Sequence, residues 1–168
     1  MSALVVKRRN PQLFTTGKDD WQTPPEIFEP LRARFGFTID AAGSGATTRL
    51  PRWYGEGGER IDSLTDPWDV SEVYWCNPPY SKAGQQAKFV EQAAHHAVRG
   101  GTSVLLLPAR TDTKVFHRYI WDRQAQRPRP WVAELHFVKG RIRFVGAEAG
   151  APFPSIIVVF RQAVVPEP

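Results

Sequence analysis

Cysteine is almost missing: Cys76 is the only one in 168 residues, which excludes an intramolecular disulfide and a cysteine-built zinc site. A reducing compartment fits that usage. No stretch approaches the ~18 consecutive apolar residues that a membrane-spanning helix needs. The opening MSALVVKRRNPQLFTTGKDD has no apolar core of signal-peptide length. The expected location is therefore the cytoplasm, with no membrane contact. The four histidines show no metal spacing, and His95 and His96 are neighbours that point apart on a helix, so no metal site is expected. Internal repeats and low-complexity tracts are lacking as well.

What remains is a chain of ordinary globular composition, 42% apolar and 23% charged, and of a length that one domain accommodates. Lys and Arg outnumber Asp and Glu by 22 to 17, a balance that favours an anionic partner such as nucleic acid without proving one. Residues 1–19, basic at Lys7, Arg8 and Arg9, show no period and read as a flexible arm. Residues 20–168 read as the domain.

Hydrophobic spacing predicts an α/β fold. Thr23 is placed to cap a helix that begins at Pro24, with Glu26 completing a capping box, an apolar face of Ile27, Phe28, Leu31 and Phe35, and Gly36 at its end. Strands are expected at Phe37–Asp40, Val73–Cys76 and Ser103–Leu107, the last two joined by a helix over Lys88–Arg99. A short helix is expected around Val115–Ile120 and an exposed loop at Gln124–Pro130. Strands at Ala133–Val138, Arg141–Phe144 and Ser155–Phe160 complete a mostly parallel sheet with an antiparallel C-terminal pair. The connection from Ala41 to about Glu59, rich in Gly and Arg, has no readable period.

One stretch carries chemistry. In VYWCNPPY, residues 73–80, a buried strand stops at Asn77 because Pro78 and Pro79 lack the N–H needed to go on pairing. In open α/β sheets ligands sit beyond the carboxyl ends of strands, where both Asp40 and Asn77 fall on this reading. An exocyclic amine is a poor nucleophile because its lone pair is delocalised into the ring, and two acceptors can draw it out of conjugation. The Asn77 side-chain oxygen and the Pro78 carbonyl would supply them, with Pro79 restricting the backbone and the Tyr80 ring available to stack on an extrahelical base. No strong base is required. A plain strand-terminating turn is the alternative for the tetrapeptide alone.

DWQTPPEIFEPL, FTIDAAG, IDSLTDPW, VYWCNPPYS, LLLPARTDTKVFH, FVKGRIRF and APFPSIIVVF together resemble, in order, the small phage-type DNA N6-adenine methyltransferase family labelled Dam, over roughly residues 20–161. The resemblance implies a Rossmann-like methyltransferase fold and methyl transfer from S-adenosylmethionine to adenine N6 in DNA, with the target adenine flipped out, in a bacterial or phage-infected cell. Asn77, Pro78, Pro79 and Tyr80 match the family's amine-methylation motif. Thr23 lies in an element that in related enzymes sits beside the methionine part of the cofactor. Asp40, Gly43 and Gly45 match a cofactor loop, although that loop normally opens a long helix and Pro51 with three glycines follows here. Asp62 either hydrogen-bonds the cofactor's adenosine or is a capping or solvated carboxylate.

Arg110, Lys139, Arg141 and Arg143 lie near predicted strand ends and make a candidate phosphate track, with solvated charges as the alternative. Loops around 45–60 and 122–131 are the candidates for reading a recognition sequence. Methylation of cytosine, RNA or protein glutamine, and a degenerate fold that only binds DNA, are the competing functions; loss of Asn77 or Pro78 would mark the last, and neither is lost.

Overall fold

The computed structural model describes residues 21–80 and 84–163, so the expected arm at 1–19 lies outside the described residues. Among the described residues two α-helices and seven strands follow one another: α1 (Pro25–Phe35), β1 (Ile39–Asp40), β2 (Val73–Cys76), α2 (Gln85–Val98), β3 (Thr102–Pro108), a single π-helical turn (Phe116–Ile120), β4 (Trp121–Asp122), β5 (Arg127–Pro128), β6 (Val132–Phe137) and β7 (Ser155–Phe160). The main sheet has the order β1-β2-β3-β7-β6. β1, β2 and β3 are parallel, and β7 runs antiparallel to both β3 and β6. Four strands therefore point one way and one is reversed, which is the mostly parallel sheet with an antiparallel C-terminal pair that the sequence predicts.

The runs VYWC, SVLLL and SIIVVF become central strands because both of their faces are covered. In β3, Leu105 and Leu107 enter the core under α2, while Val104 and Leu106 enter the core under α1. α2 contributes Phe89, Val90, Ala93, Ala94 and Ala97 to the first core, and α1 contributes Phe28 to the second, against Phe37 and Trp75. Each fully buried Val, Leu or Phe side chain contributes roughly 1.5–3 kcal/mol relative to exposure. Gly36 closes α1 in the left-handed conformation, φ 66°, its N–H bonded to the Arg32 carbonyl.

Several expectations need correction. Thr23 caps nothing: Pro24, restricted by the following Pro25 to an extended conformation with ψ 146°, occupies the cap position, so the helix starts one residue later. α2 begins at Gln85, ahead of the expected Lys88. Within the expected loop 124–130, Arg127–Pro128 pairs with Trp121–Asp122 around a turn held by Asp122 Oδ1, which accepts the Gln124 and Ala125 N–H groups at 2.9 and 3.0 Å. Arg141–Phe144 is not a strand. Gly140, at φ 75°, turns the chain off β6, and 141–144 crosses the end of the sheet with Ile142 and Phe144 buried while Arg141 and Arg143 stay exposed. The alternation was legible, but no ladder partner exists for it there.

Candidate active site at the carboxyl end of the sheet

β1 and β2 end side by side, with Asp40 opposite Trp75, so Asp40 and Asn77 emerge together at the carboxyl end. The segment after β1 does not form a helix. It doubles back, and Arg52–Tyr54 lies along the free edge of β1 through Asp40 N–H to Arg52 carbonyl (3.1 Å) and Tyr54 N–H to Asp40 carbonyl (2.8 Å). Gly55 permits this wrap: a Cβ there would lie 2.0 Å from the Gly43 carbonyl oxygen. Farther on, Trp68 is fully buried, stacks on Tyr74 at 4.5 Å and donates its indole N–H to the Ser63 carbonyl at 3.0 Å, which sets the position of Asp62 and Ser63.

These elements enclose a cavity of about 300 Å³. Ala42, Gly43 and Ser44 line it from the β1 loop, Glu56 and Asp62 from the returning chain, and Asn77 with Pro79 from the end of β2. Asp62 also accepts the Leu64 N–H at 2.8 Å, so the cavity position and the capping role coexist. At the start of α2, Gln85 lines the cavity with a side-chain oxygen that is buried and has no hydrogen-bond partner. A buried acceptor without a donor, beside two carboxylates, suits a ligand that carries donors and positive charge.

Asp40 stands behind this lining rather than in it. Its Oδ1 accepts the Ala42 N–H at 3.0 Å, and Gly43 packs so closely that a Cβ would come within 3.1 Å of Oδ2. Burial pushes its carboxyl up to about 6, against the opposing pull of the Ala42 and Thr48 hydrogen bonds. Asp40 thus shapes the loop, while Gly43 and Asp62 are the predicted cofactor residues that line the cavity. Gly45 is exposed and open, and Thr23 is buried with its side chain outside the lining.

The amide of Asn77 has a defined orientation. Its Nδ2 donates to the Trp21 carbonyl at 3.0 Å, and a carbonyl can only accept, so Oδ1 must face the other way. There it receives the Tyr80 hydroxyl, which leaves an acceptor site on the same oxygen. Burial holds the Tyr80 phenol well above its usual range, so it stays a donor. The Tyr80 ring packs edge-on against Phe153 at 5.1 Å and tilted against Phe144 at 6.1 Å. Phe144 and Phe153 were not singled out in the sequence as site residues.

The predicted DNA contacts converge on the same end. Arg110 follows β3 and Lys139 follows β6, on either side of the start of β7, through Ala109 N–H to Pro154 carbonyl and Val138 N–H to Ser155 carbonyl. The crossing segment brings Arg141 and Arg143 toward Asn77 by way of Phe144 and the Gln22–Val145 bridge. The β4–β5 hairpin does not join them. It leads to Pro130 and Trp131, which bond Ala163 and Arg161 beyond the last residue of β7, at the opposite end of the sheet. Among the described residues there is no group of three or more His, Cys, Asp or Glu that could hold a metal, and no helix is long and apolar enough to cross a membrane.

The family model described as DNA N-6-adenine-methyltransferase (Dam) matches residues 11–166, nearly the whole chain. A comparison with curated proteins finds no match.

Proposed function

Because the chain belongs to the Dam family of DNA N-6-adenine-methyltransferases, we propose that it moves a methyl group from S-adenosylmethionine to N6 of a flipped-out adenine in DNA, on a Rossmann-like fold. The observation that carries this reading is the Asn77 amide at the edge of the cavity, its nitrogen held by the Trp21 carbonyl and its oxygen left as the acceptor beside the Tyr80 hydroxyl. S-adenosylmethionine supplies an electrophilic methyl on a sulfonium. The cavity suits such a group through Glu56 and Asp62 and the orphaned Gln85 oxygen.

In this reading Asn77 Oδ1 and the Pro78 carbonyl accept the two N–H bonds of the amine, turning its lone pair out of the ring toward the cavity. Preorganised acceptors act here without being proton-transfer bases: the amine becomes acidic only as the new N–C bond forms, the donor would leave as a neutral thioether when its S–methyl bond breaks, and the released proton would pass to solvent. Tyr80 holds Asn77 by its hydroxyl and offers the base the part of its ring left uncovered. Arg110, Lys139, Arg141 and Arg143 bind phosphates and set the DNA over the sheet end. Incubation with methyl-labelled S-adenosylmethionine and separate DNA, RNA and protein substrates, followed by digestion and nucleoside analysis, tests the proposal. Label in N6-methyladenine of DNA supports it; label confined to cytosine, RNA or protein overturns it.

A further inference from the structure

Three consecutive carbonyls ahead of α1 meet three separate parts of the site. That of Trp21 takes Asn77 Nδ2 at 3.0 Å, that of Gln22 takes the Val145 N–H of the basic crossing segment at 3.0 Å, and that of Thr23 takes Arg49 Nε at 2.8 Å. Arg49 adds a second prong, Nη2 to the Gln22 side-chain oxygen at 3.3 Å. It leaves the loop whose Ser44 and Thr47 line the cavity. One half-buried guanidinium therefore ties the loop at the end of β1 to the strap that holds Asn77.

We propose that Arg49 is a positioning residue for methyl transfer: by fixing the 21–23 strap it keeps the Trp21 carbonyl where it selects the productive orientation of the Asn77 amide. The argument turns on which neighbours of Asn77 can tell its oxygen from its nitrogen. Tyr80 discriminates only in part, since its protonated hydroxyl donates to the amide oxygen here but can rotate to accept from the nitrogen. The Trp21 carbonyl discriminates fully, since it only accepts. Were the strap to drift, the amide could turn over, present its NH₂ to the substrate amine, and set donor against donor. Arg49 suits the task because its planar fork fixes two acceptors at once, which a lysine point charge does not.

The proposal rests on Asn77 as the amine acceptor, and a double-mutant cycle on the full-length protein separates the two ideas. Single-turnover methyl transfer at saturating cofactor and DNA is measured for the parent, Arg49→Ala, Asn77→Ala and the double variant, with DNA and cofactor affinities measured separately. Arg49→Ala is expected to slow transfer by roughly tenfold to a hundredfold, the scale of a misplaced reacting group, with DNA affinity little changed. In the Asn77→Ala background it should cost nothing further. Arg49→Lys should recover part of the rate through the single bond to Thr23, and Gln22→Ala, which removes only the second prong, should show a smaller loss of the same non-additive kind. If Arg49→Ala costs the same factor with and without Asn77, or leaves the rate intact, Arg49 is merely structural and the inference fails. Parent-level activity in Asn77→Ala would instead sink the functional reading itself, and the inference with it.

Discussion

The arginines at the two ends of the sheet are treated differently. At the amino end, Arg34 bonds Glu134 on β6 at 2.7 Å, Arg52 spans Glu59 and Glu72 at 2.6 and 2.8 Å, and Arg161 approaches Glu134 at 3.8 Å. At the carboxyl end, none of Arg110, Lys139, Arg141 and Arg143 forms an ion pair with a carboxylate of the described residues. Cations neutralised in place close the fold, whereas cations left unneutralised beside a strand end keep their field available to an anion. A net charge of +5 does not reveal that division.

This division predicts that changes at the carboxyl end fall on activity and binding, and changes at the amino end on stability alone. The largest expected effect is Asn77→Ala. Loss of one preorganised acceptor typically costs ~2.7–4 kcal/mol, or a hundred- to thousandfold in turnover, so single-turnover transfer should collapse while cofactor and DNA still bind. A folded Asn77→Ala protein that methylates at the parent rate would break the comparison at its centre. Asn77→Asp sharpens it. A carboxylate still accepts from an amine, but its other oxygen would face the Trp21 carbonyl, so the ratio of its rate to the parent's should rise as the pH falls and a proton restores the donor.

Next in size is Asp40→Asn. The parent carboxyl, pushed up to about 6 from 3.8 by burial, binds its proton more tightly folded than unfolded. Its stabilising share is complete below about 3.8 and is lost as the pH rises through about 6. Asp40→Asn should therefore exceed the parent in urea resistance at pH 8 by about 3 kcal/mol, with the gap closing under acid. A variant no more stable at pH 8 than at pH 4, relative to the parent, would contradict a desolvated carboxyl. Replacing Arg141 and Arg143 together by Ala should flatten the log–log salt dependence of DNA binding by about one to two units and leave cofactor binding unchanged. An unaltered slope would show that the pair is only solvated. The smallest effect is reserved for the amino end: Arg34→Ala should change stability by no more than about 1 kcal/mol, as exposed ion pairs do, and leave the salt slope untouched.

The sequence made legible what local pattern determines. Val73–Cys76 and Ser155–Phe160 were placed to the residue because uninterrupted apolar runs bounded by breakers have one good home, a strand covered on both faces. Asn77 was found because two prolines announce the end of pairing. The parts that stayed hidden depend on distant partners. The wrap of 52–54 along β1 is set by an approach of Gly55 to Gly43, the role of Arg49 by contacts 26 and 27 residues away, and the crossing of 141–144 by one glycine turn. Pro51 and the glycines of 55–58 were a usable signal, since they rule out the helix that normally follows such a loop; what they could not convey is that the chain returns.

The close approach of Gly55 to the Gly43 carbonyl sets limits on redesign of the cavity. With a Cβ on Gly55 2.0 Å from the Gly43 carbonyl oxygen and one on Gly43 2.8 Å from Trp53 Cβ, the floor has no mutable position at these two glycines: any side chain would force the loop to shift. The rim differs, because Ile61 borders the same cavity while 87% exposed. An engineered enzyme meant to accept cofactor analogues with larger transferable groups should therefore be sought through libraries at the rim, with the glycine floor held constant.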